Sequence, residues 1–242
     1  MWELDYQAFV PRKEKNMQRS KRYRSLKEQV DRTKVYSIEE AVKILTKGAN
    51  SKFDESVEVH IRTGIDPKQA DQQIRGTIVL PYGTGKEKKI AVFAEGAQLA
   101  EAEAAGADIF GGQDLIDKIK QSKEVDFDVS VATPEMMRKM ASIAKILGPK
   151  GLMPSPKTDT VTTDIRGTVE QLKKGKLSFK NDNTSNLHQL VGKVSFGEEK
   201  LRENIQAFVQ NLRDNKPTGA KGEFIKTITI TSTMGVGIKV NL

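Results

Sequence analysis

The chain contains no cysteine among its 242 residues, and aromatic residues make up only 6% of it. Without cysteine it has no disulfide bond, no thiolate metal site and no cysteine nucleophile. Long apolar runs are also missing, since none approaches the roughly 18 residues of a membrane span. The first residues lack the apolar segment of a secretory signal. These absences predict a cytoplasmic protein without a membrane partner.

Histidine is scarce, and the patterns of common enzymes are missing. His60 and His188 are the two histidines of the sequence, and without cysteine or metal-ligand spacing they predict no metal site. His60 alternates with apolar residues, so we expect it to point away from the apolar face of its strand. A Ser-His-Asp set is an alternative that the sequence leaves open, but no G-x-S-x-G elbow marks a serine nucleophile for it. We therefore predict no catalytic residue, no metal and no cofactor.

Three short motifs suggest nucleotide or ester chemistry, and each is either incomplete or too short to be specific. Gly83-Thr84-Gly85-Lys86 ends like a phosphate loop, but Glu87 follows where Ser or Thr is required, so a hinge is the better interpretation. Glu95-Gly96-Ala97-Gln98 lacks the glycine spacing of a dinucleotide site. Gly111-Gly112-Gln113 matches the release-factor tripeptide, but Gly-Gly before a helix is better explained as a turn. A nucleotide-dependent enzyme built on residues 84–175 is the alternative that remains.

Basic residues outnumber acidic ones by 40 to 32, which gives a net charge of +8. A basic balance of this size favours a polyanionic partner. Residues 84–175 contain 14 basic and 14 acidic side chains, so the excess lies outside this segment. We therefore expect the polyanion to bind the parts of the chain before and after it.

Seven basic side chains lie between residues 12 and 24, against the single acid Glu14. They lead into a helix predicted at about 20–30. Such a block is either an arm that binds the polyanion or a solvated tail, and the sequence leaves both interpretations open.

Apolar periodicity before residue 84 and after residue 175 is typical of an α+β domain. Residues 37–40 have the spacing of a capping box at a helix start, and residues 198–214 have an amphipathic helical pattern. In the strand predicted at 224–233, threonine alternates with isoleucine, so the threonines should share one face. The strands predicted in these stretches are 53–63, 76–81, 177–180, 189–196, 224–233 and 236–240.

Between these stretches, strands alternate with helices, which favours parallel strands joined by right-handed crossovers. The strands are predicted at 89–94, 109–110 and 127–132, and the helices at 98–105, 113–120 and 134–147. The predicted fold class is α/β with two domains. Residues 1–83 and 176–242 form a discontinuous α+β domain, of which residues 1–19 are a basic N-terminal extension. Residues 84–175 form an inserted Rossmann-like α/β domain.

Three separated segments look like family signatures. They are KFDESVEVH at 52–60, LGPKGLMPSPKTDTV at 147–161 and TSTMGVGIKV at 231–240. In these segments, and in order over roughly residues 20–242, the chain resembles the bacterial type of the ribosomal protein L-one family. Members of that family belong to the mobile stalk of the large ribosomal subunit, beside the exit site.

The resemblance implies a structural constituent of the large ribosomal subunit and not an enzyme. It implies that the discontinuous domain binds a folded region of large-subunit (23S) rRNA and that the protein assists release of deacylated tRNA. It also implies a repressor of translation that binds its own messenger RNA (mRNA) through the same surface. The expected partners are therefore large-subunit rRNA, the protein's own mRNA and, transiently, exit-site tRNA, with no stable homo-oligomer.

The resemblance also assigns an RNA-binding surface, residue by residue. The family pattern carries over to Lys52, Phe53, Asp182, Thr184, Thr233, Met234 and Gly235, and the predicted set also includes Lys180 as a phosphate contact, His188 and Ser232. Hydroxyl groups and backbone amides can bond to 2′-hydroxyls and phosphates, while apolar side chains offer platforms for the RNA. For Phe53 the alternative is a core residue at a strand start, and for residues 233–235 it is an ordinary hairpin turn.

The sequence departs from the family pattern at a few positions. Asn183 stands where the family usually has lysine, which removes one cation from the candidate surface. Ser155 and Asp159 stand in the proline-rich loop, where the family often has Asn and Gly. The arm before about residue 20 is longer than the family leads us to expect.

Overall fold

The structure is a computed structural model and describes residues 20–31, 33–69, 71–220 and 222–241. The predicted extension at residues 1–19 lies outside these ranges. In chain order the helices and strands are α1 (Lys21–Gln29), α2 (Ile38–Gly48), β1 (Ser56–Thr63), β2 (Arg75–Val79), β3 (Ile90–Phe93), α3 (Ala97–Ala104), β4 (Ile109–Gly111), α4 (Gln113–Ser122), β5 (Val129–Ala132), α5 (Pro134–Met140), α6 (Ala144–Leu147), α7 (Ile165–Lys173), β6 (Lys176–Lys180), β7 (Asn186–Lys193), α8 (Gly197–Asp214), β8 (Ile225–Ser232) and β9 (Ile238–Val240).

The largest sheet joins strands from both ends of the chain. Its order is β7-β1-β8-β9, and every neighbouring pair is antiparallel. In the central strand, Val59 pairs with Gln189 on one side and with Ile230 on the other. Strands from before residue 84 and after residue 175 therefore belong to one sheet.

Helices α2 and α8 cover one face of this sheet. Val57, Val59 and Ile61 are buried there against the apolar side of α8, and loss of this apolar area from water stabilises the packing. The predicted capping box starts α2: the Ser37 hydroxyl accepts from the Glu40 amide at 3.2 Å, and the Glu40 carboxylate accepts from the Ser37 amide at 3.3 Å.

The opposite face of the sheet carries polar side chains, because successive residues of a strand point to opposite faces. His60 lies on this face, as predicted. We call it the open sheet face, and its polar members, all partly or fully exposed, are Glu58, His60, Arg62, Asn186, His188, Thr227, Thr229, Thr231 and Lys239.

Strands β3, β4 and β5 form a separate parallel sheet in the order β4-β3-β5, which confirms the predicted parallel pairing. All four residues of β3 are buried. Two apolar clusters surround it, one containing Phe93 and Met136 and the other containing Val92 and Val169. Because both faces of the strand are covered, its sequence is a continuous apolar run.

Three details differ from the predictions. Helix α7 was not predicted, because Gly167 and Thr168 lower helix propensity in its centre. The helix predicted at 134–147 is interrupted by a 3-10 turn, Ala141–Ile143. Within this turn the Ser142 hydroxyl donates to the Lys139 carbonyl at 3.0 Å, a kind of bond that competes with helical pairing. The strand predicted at 189–196 begins at Asn186 and ends at Lys193.

A two-stranded ribbon, β2 with β6, lies beside the two segments that lead into and out of the parallel sheet. These segments meet at Gly83 and Gly175, where a Cβ atom on Gly175 would be 2.6 Å from the Gly83 Cα. Glycine is therefore required where the two segments meet. Asp159 also bridges to the ribbon: its carboxylate lies 3.0 Å from the Lys176 ammonium and 3.3 Å from the Thr77 hydroxyl.

Candidate nucleic-acid interface

The predicted RNA-binding residues lie at opposite ends of the large sheet. Lys52 and Phe53 precede β1, and residues 233–235 follow β8, at one end. The turn of residues 181–185 lies at the other end, where the Ser185 carbonyl accepts from the Thr63 amide at 3.0 Å. Eight residues of β1 separate the two ends, a span of about 25 Å. The open sheet face connects them, and His188 lies on it.

Residues 233–235 form a turn that is anchored to the start of β1. The Thr233 amide donates to the Ser56 carbonyl at 3.0 Å, and the Thr233 hydroxyl accepts from the Ser56 amide at 3.0 Å. A Cβ atom on Gly235 would lie 2.4 Å from the Ser232 hydroxyl oxygen, so a larger residue would displace a hydroxyl that donates to Glu55. The Met234 side chain is 52% exposed. The turn thus presents a thioether from a fixed backbone.

Phe53 lies on the neighbouring segment and is 54% exposed, so it is not a core residue. The next residue fixes this segment, because the Asp54 carboxylate accepts from the Ser195 amide at 3.1 Å and from the Ser195 hydroxyl at 2.6 Å. Lys52 is exposed as well. This end of the sheet therefore offers a cation and two apolar platforms.

Glu55 is buried beneath this end of the sheet, with 2% of its surface exposed. Burial raises the pKa of its carboxyl, but hydrogen bonds from the Ser232 hydroxyl, the Ser51 hydroxyl and the Met234 amide outweigh burial, and the Arg22 guanidinium adds to them, so the pKa is lowered overall. Glu55 is therefore held as a carboxylate. Ser232 is buried too, so its hydroxyl serves Glu55 and does not face solvent.

The far end of the sheet is organised around Asp182. Its carboxylate accepts from the Thr184 hydroxyl at 2.6 Å, from the Thr184 amide at 2.8 Å and from the Asn186 amide at 2.7 Å. The Thr184 hydroxyl and the Asn186 amide are the main reasons why the pKa of Asp182 is lowered to about 2. Asn183 is exposed at the tip of this turn. Lys180 lies nearby at the end of β6 and is exposed.

A row of charged and imidazole side chains crosses the open sheet face. His60 and His188 are direct cross-strand partners, with 2.8 Å between their Nδ1 atoms. Glu58 lies 3.9 Å from His60, and Asp182 lies 3.6 Å from His188. Burial and the neighbouring His188 lower the pKa of His60, against the opposing effect of Glu58. The row connects the two ends of the candidate interface.

Several of these residues were missed by sequence reasoning. The alternation of threonine with isoleucine in β8 did indicate a threonine face, but that face was not assigned to the RNA-binding set. Glu55 lies two residues before Val57 and four before Val59, so it belongs to the same face of the strand. This spacing was the available signal for a buried carboxylate. For Arg22 no sequence signal distinguished it from the other cations of its block.

The Gly83-Thr84-Gly85-Lys86 motif lines a cavity of about 600 Å³ beside Lys174 and Gly175. The Lys86 ammonium is bonded to Asp128 at 2.9 Å, which is not the geometry of a phosphate-loop lysine. Within the ranges that the structure covers, no group of three or more His, Asp or Glu side chains is placed to hold a metal ion. In the same ranges, no helix is long and apolar enough to cross a membrane.

The exposed polar sheet face and the net charge of +8 together favour the class of proteins that bind a polyanion. Comparison with known families identifies the family to which the chain belongs. The model of the Ribosomal protein L1p/L10e family matches residues 45–236, and the chain belongs to this family. It is thus a structural ribosomal protein and not an enzyme, which removes the nucleotide-dependent alternative.

Relatives from several bacteria are similar over nearly their whole length. Large ribosomal subunit protein uL1 of Thermosipho africanus is 52% identical over 222 residues, which cover 92% of this chain and 96% of the relative. The protein of the same name from Kosmotoga olearia is 51% identical over 223 residues, and that from Fervidobacterium nodosum is 50% identical over 223 residues. The prediction of a bacterial member of this family is therefore confirmed.

Proposed function

We propose that the chain is a cytoplasmic constituent of the large ribosomal subunit and binds large-subunit rRNA through the open sheet face and its two ends. One observation carries the proposal: Phe53 and Met234 are exposed on segments whose backbones are fixed. Exposed apolar platforms on a rigid backbone are suited to structured RNA, which proteins recognise by shape and stacking.

The rest of the face supplies polar contacts of the right kind. The threonine hydroxyls of β8 can donate to and accept from 2′-hydroxyls, which distinguish RNA from DNA. Arg62 and Lys239 on the open sheet face and Lys52 at its end are exposed cations for phosphates. Asp182 fixes its own turn and presents the Thr184 segment at the far end of the face.

We also propose the predicted domain division for this function. Residues 1–83 and 176–242 would form the rRNA-binding domain, with 1–19 as an extension, and residues 84–175 the inserted domain. Support comes from the buried side chains: one apolar cluster draws its members from residues 30–80 and 177–240, and two others draw theirs from residues 90–172.

Release of deacylated tRNA from the exit site and repression of the protein's own messenger are the finer parts of the proposal, and both rest on the family resemblance. Repression would use the same face, with the messenger in place of rRNA. In a reporter fused to the gene's own leader, excess protein should lower expression and excess Met234→Ala should lower it less. Equal expression with and without the protein would exclude repression.

The rRNA-binding proposal is tested by filter binding at one fixed salt concentration. Met234→Ala, Phe53→Ala and Thr233→Ala should each weaken binding of large-subunit rRNA by roughly five- to tenfold, the effect of about 1 kcal/mol or more per contact. Two controls are matched to these variants. Phe110→Ala removes another exposed aromatic side chain, 41% exposed, from β4, and Lys21→Ala removes one cation of the basic block.

Both controls should change the dissociation constant less than twofold, because Phe110 lies on β4, outside the proposed interface, and the single exposed charge of Lys21 contributes little. Equal, small effects from all five variants would reject this assignment of the surface.

A further inference from the structure

The buried Glu55 carboxylate joins the segment before β1 to the turn after β8. Its side chain is 1% exposed, and a buried charge is costly unless other groups bond to it. The Ser51 hydroxyl donates to it at 2.6 Å, the Ser232 hydroxyl at 2.6 Å and the Met234 amide at 3.1 Å. Two of these three donors belong to the segment that forms the turn.

The Arg22 guanidinium completes the same network from helix α1. One of its nitrogens donates to the Ser51 hydroxyl at 2.9 Å and lies 3.6 Å from the Glu55 carboxylate. The second terminal nitrogen of the guanidinium donates to the Met234 carbonyl at 3.0 Å. A planar guanidinium can hold two partners in one fixed geometry, which a lysine ammonium does not reproduce.

Both backbone groups of Met234 are therefore engaged inside the protein. Its amide donates to Glu55 and its carbonyl accepts from Arg22, while its side chain projects into solvent. Fixing a binding segment in its bound shape before the partner arrives reduces the entropy that is lost on binding.

We propose that Arg22 and Glu55 are positioning residues for RNA recognition, which set the backbone of the turn at residues 233–235 and do not themselves contact RNA. The inference rests on the proposed function, since it assigns roles within the same interface. It separates the cations of α1 into two kinds. Arg22 acts inside the protein, whereas Lys21 and Lys27 are exposed on the same helix.

The first test needs no RNA and measures amide hydrogen exchange in the full chain. In Arg22→Gln the Met234 amide should exchange roughly tenfold faster, since a bond to a charged group is lost nearby. The Val59 and Ile230 amides of the sheet should be unchanged. Lys27→Gln, which removes one cation from the same helix, should leave all of these amides as in the wild type.

An unchanged Met234 amide in Arg22→Gln would overturn the proposal. If that variant unfolds as a whole, Arg22→Lys takes its place. It keeps the charge but has a single donor nitrogen in place of the two that the guanidinium uses. An intermediate acceleration of the Met234 amide is therefore expected, and wild-type exchange would contradict the positioning role.

The second test measures binding of large-subunit rRNA over a series of salt concentrations. Arg22→Gln should raise the dissociation constant roughly tenfold at every concentration, with the slope of log affinity against log salt unchanged. A residue that contacts phosphate would instead reduce that slope by about one, and this result would overturn the inference, as would wild-type affinity. If the wild-type chain fails to bind, the proposed function fails, while the exchange measurement still decides the positioning role.

Discussion

At the scale of single residues, exposure separates recognition from support. Phe53 and Met234 are more than half exposed, whereas Ser232 is 4% exposed. Truncating an exposed apolar side chain usually changes the free energy of unfolding by no more than about 0.5 kcal/mol. Removing a buried donor leaves its acceptor short of a bond. Truncation of Phe53 or Met234 should therefore change the affinity for rRNA, whereas truncation of Ser232 should change the free energy of unfolding.

Ser232→Ala illustrates the second kind. It removes the hydroxyl that donates to the buried Glu55 carboxylate, so the free energy of unfolding should fall by about 1–3 kcal/mol. Urea denaturation measures this change. Ser25→Ala on the exposed side of α1 is the control and should change stability little. Equal stability of the two variants would contradict the proposed support of Glu55 by Ser232.

Asp182 gives a prediction about pH. Hydrogen bonds from the Thr184 hydroxyl and the Asn186 amide lower its pKa from 3.8 to about 2. Its contribution to stability is complete above the unfolded pKa and is lost as pH falls toward the folded pKa. Asp182→Asn should therefore show a smaller loss of unfolding free energy between about pH 5 and pH 2 than the wild type.

Urea denaturation at several pH values tests this prediction for Asp182, with Glu101→Gln on the exposed surface of α3 as control. The control should follow the wild-type pH dependence. If Asp182→Asn follows it too, the turn does not depend on the carboxylate.

The residues of the interface were only partly predictable from sequence. Residues 233–235 and Phe53 belong to local signatures and could be found. Arg22 lies 212 residues from Met234 along the chain and 29 from Ser51, and nothing local indicates that these groups meet. Contacts of this kind depend on the tertiary structure, so they could be seen only after the sheet had been assembled.

At the scale of secondary structure, strong local signals were reliable. The capping box of α2, the apolar stripe of α8 and the buried run of β3 each predicted the observed element. Helix α7 was missed although Ile165, Val169 and Leu172 have helical spacing. Its stability comes from packing these side chains against the parallel sheet, a tertiary effect that overrides weak propensity.

The capping box of α2 can be tested by Ser37→Ala. The variant leaves the Glu40 amide without its acceptor, so the free energy of unfolding should fall by about 1 kcal/mol. Thermal or urea unfolding measures the change. Ser37→Asp, which retains an acceptor, should restore most of it. An unaltered stability in Ser37→Ala would show that water replaces the cap at no cost.

At the scale of the whole molecule, one ion pair joins the loop after α6 to the ribbon. Asp159 bridges from the loop after α6 to Lys176 and Thr77 of the ribbon. Asp159 adopts the left-handed conformation, with φ of 51°, which suits glycine better. Aspartate at this position therefore gives a bridging contact at some cost in backbone strain.

Asp159→Gly should loosen this link with little change in overall stability. Relief of the strained backbone, worth roughly 1 kcal/mol, offsets most of the lost ion pair. Since the sequence has no cysteine, two introduced cysteines at positions 53 and 110 can carry a fluorescent pair. Energy transfer should fall in the Asp159→Gly variant relative to the wild type, because the lost ion pair no longer holds the loop after α6 against the ribbon. Identical transfer in both proteins would exclude the bridge.

The central claim is that the two ends of the chain build one face that recognises large-subunit rRNA. It is tested most directly by a competition titration of the full chain with large-subunit and small-subunit rRNA at one moderate salt concentration. The account predicts tighter binding of large-subunit rRNA by at least about a thousandfold, the lower end of the scale of specific over non-specific recognition of nucleic acid. Equal affinity for the two RNAs would show that only the net positive charge binds them, and would contradict the account.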